Sequence, residues 1–144
     1  MKDVLVIIGP GAMGAAIARR AGAGKHVLVA DLREDNARAA EQLLLDAGFA
    51  ASAATVDITD RVSVRALAAQ AAALGAVKGV VHAAGASPSM SRPKLIVRVD
   101  LYGTAVVLEE FGEVVAPGGS AVVIASQAGH RLPALAPEED QALA

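Results

Sequence analysis

The chain contains no cysteine and no tryptophan. That excludes a disulfide, a thiolate nucleophile and a cysteine-based metal site, and it fits the reducing cytoplasm in which we expect the protein. Aromatic residues stop at Phe49, Tyr102 and Phe111, too few for the stacking platforms that hold single-stranded nucleic acid. An excess of either charge is missing as well, with 13 Lys and Arg against 15 Asp and Glu. A formal net charge of -2 gives no electrostatic reason to expect nucleic acid or an anionic membrane as partner. No apolar run approaches the ~18 residues of a membrane span. The first strand-like run starts almost at once, without the basic region, apolar stretch and cleavage site of a signal peptide. His26, His82 and His130 stand far apart and lack metal-ligand spacing, so no metal is expected.

What is present suits a buried sheet. The chain has 144 residues, 54% of them hydrophobic, enough for one domain with a real core. The most informative stretch runs from Val4 through Ile8 into Gly9-Pro10-Gly11-Ala12-Met13-Gly14, and Asp31 follows a second apolar run. The order is strand, glycine turn, helix, strand, acid, with the acid at about the ~20-residue distance a dinucleotide site requires. Gly9 lets the chain turn off the strand, Gly11 lets the backbone approach a pyrophosphate, and Gly14 lets the helix pack on the sheet. The helix start would offer open N–H groups and a positive dipole end to phosphates. The competing reading is a tight turn that binds nothing.

Strand-like runs alternate with helical patterns along the rest of the chain. Strands are expected at 4–8, 27–30, 53–56, 77–82 and 121–125. Helices are expected at 12–21, from Asp35 or Asn36 to 47, from a cap at Thr59 or Asp60 to 74, and from 94 to 116. Gly22, Gly48 and Gly75 close the first three, and Pro117-Gly118-Gly119 breaks the fourth. A loop spans 83–93. The remainder, 126–144, reads as loop and a weakly helical acidic tail. Such alternation implies a parallel sheet with right-handed crossovers, and continuous apolar strands imply cover on both faces.

Further motifs now carry a resemblance. Val56-Asp57-Ile58-Thr59-Asp60, His82-Ala83-Ala84-Gly85, Val99-Asp100-Leu101-Tyr102-Gly103-Thr104 and the run from Gly119 to Gly129 follow the glycine turn and Asp31 in order. In that order the chain resembles the short-chain dehydrogenase/reductase family over nearly its whole length. The resemblance implies a Rossmann-type doubly wound parallel α/β sheet of five strands, order 3-2-1-4-5, with helices on both faces. It implies a single NAD(P)-binding domain over 1–144, incomplete at its C-terminus.

The implied activity is hydride transfer between nicotinamide and a carbonyl or secondary alcohol. NAD is favoured over NADP because a carboxylate at Asp31 accepts from the ribose hydroxyls and repels a 2′-phosphate; Arg33, two residues on, pulls the other way. The implied cofactor-binding residues are Gly9, Gly11, Ala12, Met13, Gly14, Asp31, Leu32, Asp57, Ile58, Ala83, Ala84 and Gly85, with Met13 packed beneath the pyrophosphate. Ser126 and Asp100 are the implied catalytic positions, Ser126 at the end of the fifth strand. For several of these a plainer reading stands beside it: a turn-starting acid at Asp31, a helix-capping acid at Asp57, an ordinary tight loop at 83–85, a strand-end serine bonded to backbone at Ser126.

The sequence also departs from the family pattern. The turn is GxGxxG rather than TGxxxGxG. His82 and Asp100 stand where asparagines are usual, and His82 is expected to be a satisfied core histidine. No Tyr-x-x-x-Lys follows Ser126, so this chain alone is expected to be inactive, and a non-catalytic NAD-binding module is the alternative. The apolar helix at 94–116 and an apolar edge at 121–125 imply a homo-oligomer.

Overall fold

The computed structural model describes residues 2–87, 89, 91–131 and 133–143. Pro88 and Met90 of the expected loop, and Leu132 and Ala144 of the expected tail, lie outside that set. Five parallel strands form one sheet, as the alternation of apolar runs predicts, in the order β3-β2-β1-β4-β5 that the resemblance implies. In the middle is β1 (Asp3–Ile8), whose residues from Val4 onward are all buried. It pairs with β2 (His26–Asp31) on one side and β4 (Ala76–His82) on the other.

Each face of the sheet has its own core. Leu5, Ile7, Val27 and Val29 pack with Ala18 of α1 (Ala12–Ala21) and with Ala40 and Leu44 of α2 (Glu34–Asp46). Val4, Val6, Ile8 and Leu28 pack on the other side with Val64 and Leu67 of α3 (Arg61–Leu74) and with Val106, Val107 and Phe111 of α5 (Thr104–Gly112). Period-two alternation within an apolar strand thus feeds two cores at once. An ion-pair cluster joins α3 to α5. Arg65 and Arg61 both donate to the buried Glu110 carboxylate, at 2.9 and 2.8 Å. These bonds, Arg65's first, hold the Glu110 carboxyl down at about 2.

The register places the ligand edge. Ile8 lies beside Ala30 and His82. Beyond the strands the pairing continues: Gly9 N–H donates to Ala30 O (2.8 Å), Ala83 N–H to Ile8 O (2.8 Å) and Val56 N–H to Asp31 O (2.9 Å). Segments 9–11, 31–32, 56–59 and 83–86 are thereby laid side by side.

Three expectations need correction. First, β3 spans Ala50–Thr55, not 53–56. Its sequence, AASAAT, has little strand propensity of its own; pairing with β2, from His26 beside Ala50 to Asp31 beside Thr55, sets its limits. His26 is accordingly the first residue of β2, one position ahead of the strand expected at 27–30, and its Nε2 lies 2.8 Å from Ser52 Oγ.

Second, the helix expected at 94–116 is three pieces: α4 (Pro93–Ile96), wider π turns over Val97–Gly103, and α5. Such π turns are rare and concentrate at functional sites. Gly103 lies in the last of them, where a Cβ would stand 3.0 Å from Ile58 Cγ1, so the absent side chain admits the helix to the sheet edge.

Third, the fifth strand β5 spans Val115–Val123 rather than 121–125. Val115 pairs with Val77 and Ser120 with Gly79, so the segment between them bulges out of register. Pro117-Gly118-Gly119 is that bulge, not a helix breaker. Ser126 therefore lies beyond the strand, where it caps a short 3-10 turn, Gln127–His130. The tail ends in α6 (Pro137–Leu143).

Candidate functional site

The crossovers after β1 and β4 leave toward opposite faces, to α1 and to α4–α5. Where they part, at the carboxyl ends of the strands, an α/β sheet opens a crevice for ligands. Here it is a cleft of about 460 Å³ lined by Ile8, Gly9, Gly11, Asp31, Leu32, Val56, Asp57, Ile58, Thr59 and 83–86, with Ser91, Leu95 and Val99 from the far wall. A second groove, about 570 Å³, runs between α1 and α2 and meets the first at Gly11 and Asp31.

The glycine turn is built as a cradle. Gly9 has φ +82°, and a Cβ there would lie 2.5 Å from Ala84 N; only glycine lets the β1 and β4 turns touch. A Cβ on Gly14 would collide with Gly9 O, so α1 seats against its own entry turn. Gly11 is different, because a Cβ on it meets nothing within 4 Å. It opens into the cleft rather than into protein. Gly11 is the N-cap of α1 and gives it no side-chain cap, so the first N–H groups of that helix are left for a ligand. An uncapped helix start beside an open glycine and a strand-end acid fits the pyrophosphate and ribose of a nicotinamide dinucleotide.

The acids are held locally. Asp31 Oδ1 accepts from Arg33 N–H (2.9 Å) and Asn36 Nδ2 (3.2 Å). Asp57 Oδ1 accepts from Thr59 N–H (2.9 Å) and Thr59 Oγ1 (2.8 Å). The cap of α3 is Asp60, which accepts from Val62 N–H at 3.0 Å, so Asp57 is not the helix-capping acid. His82 is buried, with Nε2 lying 3.1 Å from Thr104 Oγ1. Its Nδ1 has no partner among the described residues, so it is only half of the satisfied core histidine expected. Burial pushes its pKa down, opposed in part by Asp100.

The structure thus gathers Gly9, Gly11, Asp31, Leu32, Asp57, Ile58, Ala83, Ala84 and Gly85 on one cleft. Ala12 lines the neighbouring groove, and Gly14 lies beneath the turn. Met13 lines neither; its side chain is 59% exposed on α1. Asp100 stands behind the rim, where Oδ1 accepts from Ala86 N–H at 2.8 Å. Ser126 Oγ accepts from Ala128 N–H at 3.1 Å, the backbone bond of its plainer reading. The chain's one tyrosine, Tyr102, lies on a separate outer surface with Lys94, Val97 and Arg98. The far wall was missed at the sequence level. Leu95 and Val99 stand four residues apart, a spacing that puts them on one helical face, and Ser91 lies just ahead of the helix.

Known proteins share this arrangement. The family model described as Enoyl-(Acyl carrier protein) reductase matches residues 10–136. A short-chain dehydrogenase/reductase of Alternaria brassicicola is 42% identical over 131 residues, 91% of this chain and 48% of its own length. A metagenomic short-chain oxidoreductase, solved in complex with NADP, is 27% identical with a TM-score of 0.76, over 88% of this chain and 63% of that one. A variant of actinorhodin polyketide ketoreductase, solved with NADPH, is 28% identical with a TM-score of 0.76, over 90% of this chain and 55% of that one. The chain thus spans about half the length of the curated relative and under two thirds of these structures. Sequence match, strand order and cleft agree: the chain belongs to the short-chain dehydrogenase/reductase family.

Proposed function

We propose that this chain is the coenzyme-binding part of an NAD-dependent oxidoreductase acting on a carbonyl or secondary alcohol. The observation that carries the reading is the junction of Gly11 and Asp31 at the cleft, an open backbone beside a strand-end carboxylate. The bound nicotinamide supplies the hydride chemistry. The first N–H groups of α1 hold the pyrophosphate, and Gly11 admits it. Asp31 accepts from the adenosine ribose hydroxyls, while Leu32, Asp57 and Ile58 flank the adenine. Ala83, Ala84 and Gly85 leave room for the nicotinamide ribose. Asp100 braces that rim through Ala86. Ser126 orients the substrate oxygen by donating its hydroxyl proton, which the bond from Ala128 N–H leaves free. The kinship with dehydrogenases weighs against a module that only binds.

NADP is the second reading, because two of the similar structures were solved with NADP or NADPH and because Arg33 follows Asp31. Titration of the full-length gene product with NADH and NADPH separates them. Tighter NADH binding, with discrimination relaxed at least about tenfold in Asp31→Ala, supports NAD. Tighter NADPH binding that survives the substitution rules it out.

The half-exposed Leu101 and Leu108 on the π turns and α5 support a homo-oligomer. A monomer mass by light scattering at high concentration would exclude the oligomer.

A further inference from the structure

Asp31 can select a coenzyme only if its carboxylate is held in one orientation. Two donors reach it, Arg33 N–H at 2.9 Å and Asn36 Nδ2 at 3.2 Å, and both end on Oδ1. Among the described residues, none donates to Oδ2. A carboxylate tied by a single backbone donor still swings about its Cβ–Cγ bond. The second donor comes from the first turn of α2 and restrains that swing, leaving the lone pairs of Oδ2 for a ligand.

The placement of Asn36 gives it no other part. It lines the α1–α2 groove with Asp31 but not the cleft at the sheet edge, whereas Asp31 lines both. It therefore grips the carboxylate from outside the cleft. It is also not the cap of α2, since that cap is Arg33, with no side-chain bond. Alanine is the best helix former at such a position, so removing the amide takes away the grip and spares the helix.

We propose that Asn36 is a positioning residue for coenzyme selection: its amide fixes Asp31 so that Oδ2 meets the ribose hydroxyls of NAD and opposes a 2′-phosphate. The proposal rests on the reading of Asp31 given above. A free carboxylate accepts less well from the diol and turns away from a phosphate, so losing Asn36 costs NADH and not NADPH.

The test is a titration of the full-length gene product, following nicotinamide fluorescence with NADH and with NADPH. Wild type, Asn36→Ala, Asp31→Ala and the double variant are compared, with the melting temperature of each. The expected result is an NADH Kd weakened about fivefold in Asn36→Ala, the value of one net hydrogen bond, with NADPH bound as well as before or more tightly and the melting temperature unchanged. In the Asp31→Ala background the same substitution should do nothing. If Asp31→Ala relaxes discrimination and Asn36→Ala does not, the positioning proposal falls and the reading of Asp31 stands. If Asp31→Ala leaves discrimination unchanged, both fall. Equal weakening of the two coenzymes with a lowered melting temperature would show a role in folding alone and would also overturn the proposal.

Discussion

β1 and β5 begin as similar sequences and end in opposite situations. VLVII fills β1 from Val4 onward, and AVVIA, whose first three residues end β5, is likewise a continuous apolar run. In β1, Ile7 is fully buried, with β2 and β4 on its flanks and helices over both faces. Among the described residues β5 has one neighbouring strand, β4, and its Val122 is 51% exposed. An apolar run records that a strand is suited to cover on both faces. Whether it has cover depends on which elements lie beside it.

The sharpest way to break the comparison is to shorten the same kind of side chain at both places. Ile7→Ala removes atoms from the middle of a closed core and leaves a cavity between the sheet and α1. The expected loss is about 2–5 kcal/mol, measured by urea unfolding. A loss under about 1 kcal/mol would mean that this face repacks freely, and β1 would then be no better covered than β5.

The second prediction concerns the turn that follows β1. Gly11→Val places its side chain in the open cleft, not against protein. Coenzyme affinity should fall at least about a hundredfold, because the bulk stands where the pyrophosphate backbone approach is needed. The melting temperature should stay within a degree or two of wild type, since an exposed substitution without strain costs little. Retained affinity would remove the phosphate-turn reading, and a large fall in melting temperature would show Gly11 to be structural like Gly14.

This contrast explains what was legible beforehand. The parallel sheet and the glycine turn could be read because β1, β2 and β4 are apolar runs and because Gly9, Gly11 and Gly14 each answer a local steric demand, whereas the strand order came with the family resemblance. The near wall of the cleft followed, since each of its segments comes straight off a strand end. The limits of β3 could not be read, because AASAAT has no period and only β2 defines it. The end of the long helix was overrun because Val114, Val115 and Ala116 continue an apolar pattern that suits either element. The π turns at Val97–Gly103 leave no mark in hydropathy. Leu95 and Val99 fall within the helix expected at 94–116, but which surface they meet depends on packing. Asn36 was noticed only as a possible helix start; its grip on Asp31 appears once the chain is folded.

The smallest expected effect lies at the other end of the comparison. Val122→Ala shortens a side chain that already has solvent over half its surface. There is no closed cavity to create and little apolar area to lose, so the loss should be under about 0.5 kcal/mol in the same urea experiment. The value should also not depend on protein concentration. A loss above about 1 kcal/mol would mean that Val122 is covered in solution. If that loss shrinks as the protein is diluted, the cover comes from another copy of the chain, because an associating surface stabilises by mass action and a folded core does not. A large loss that ignores dilution would place the cover within the same molecule.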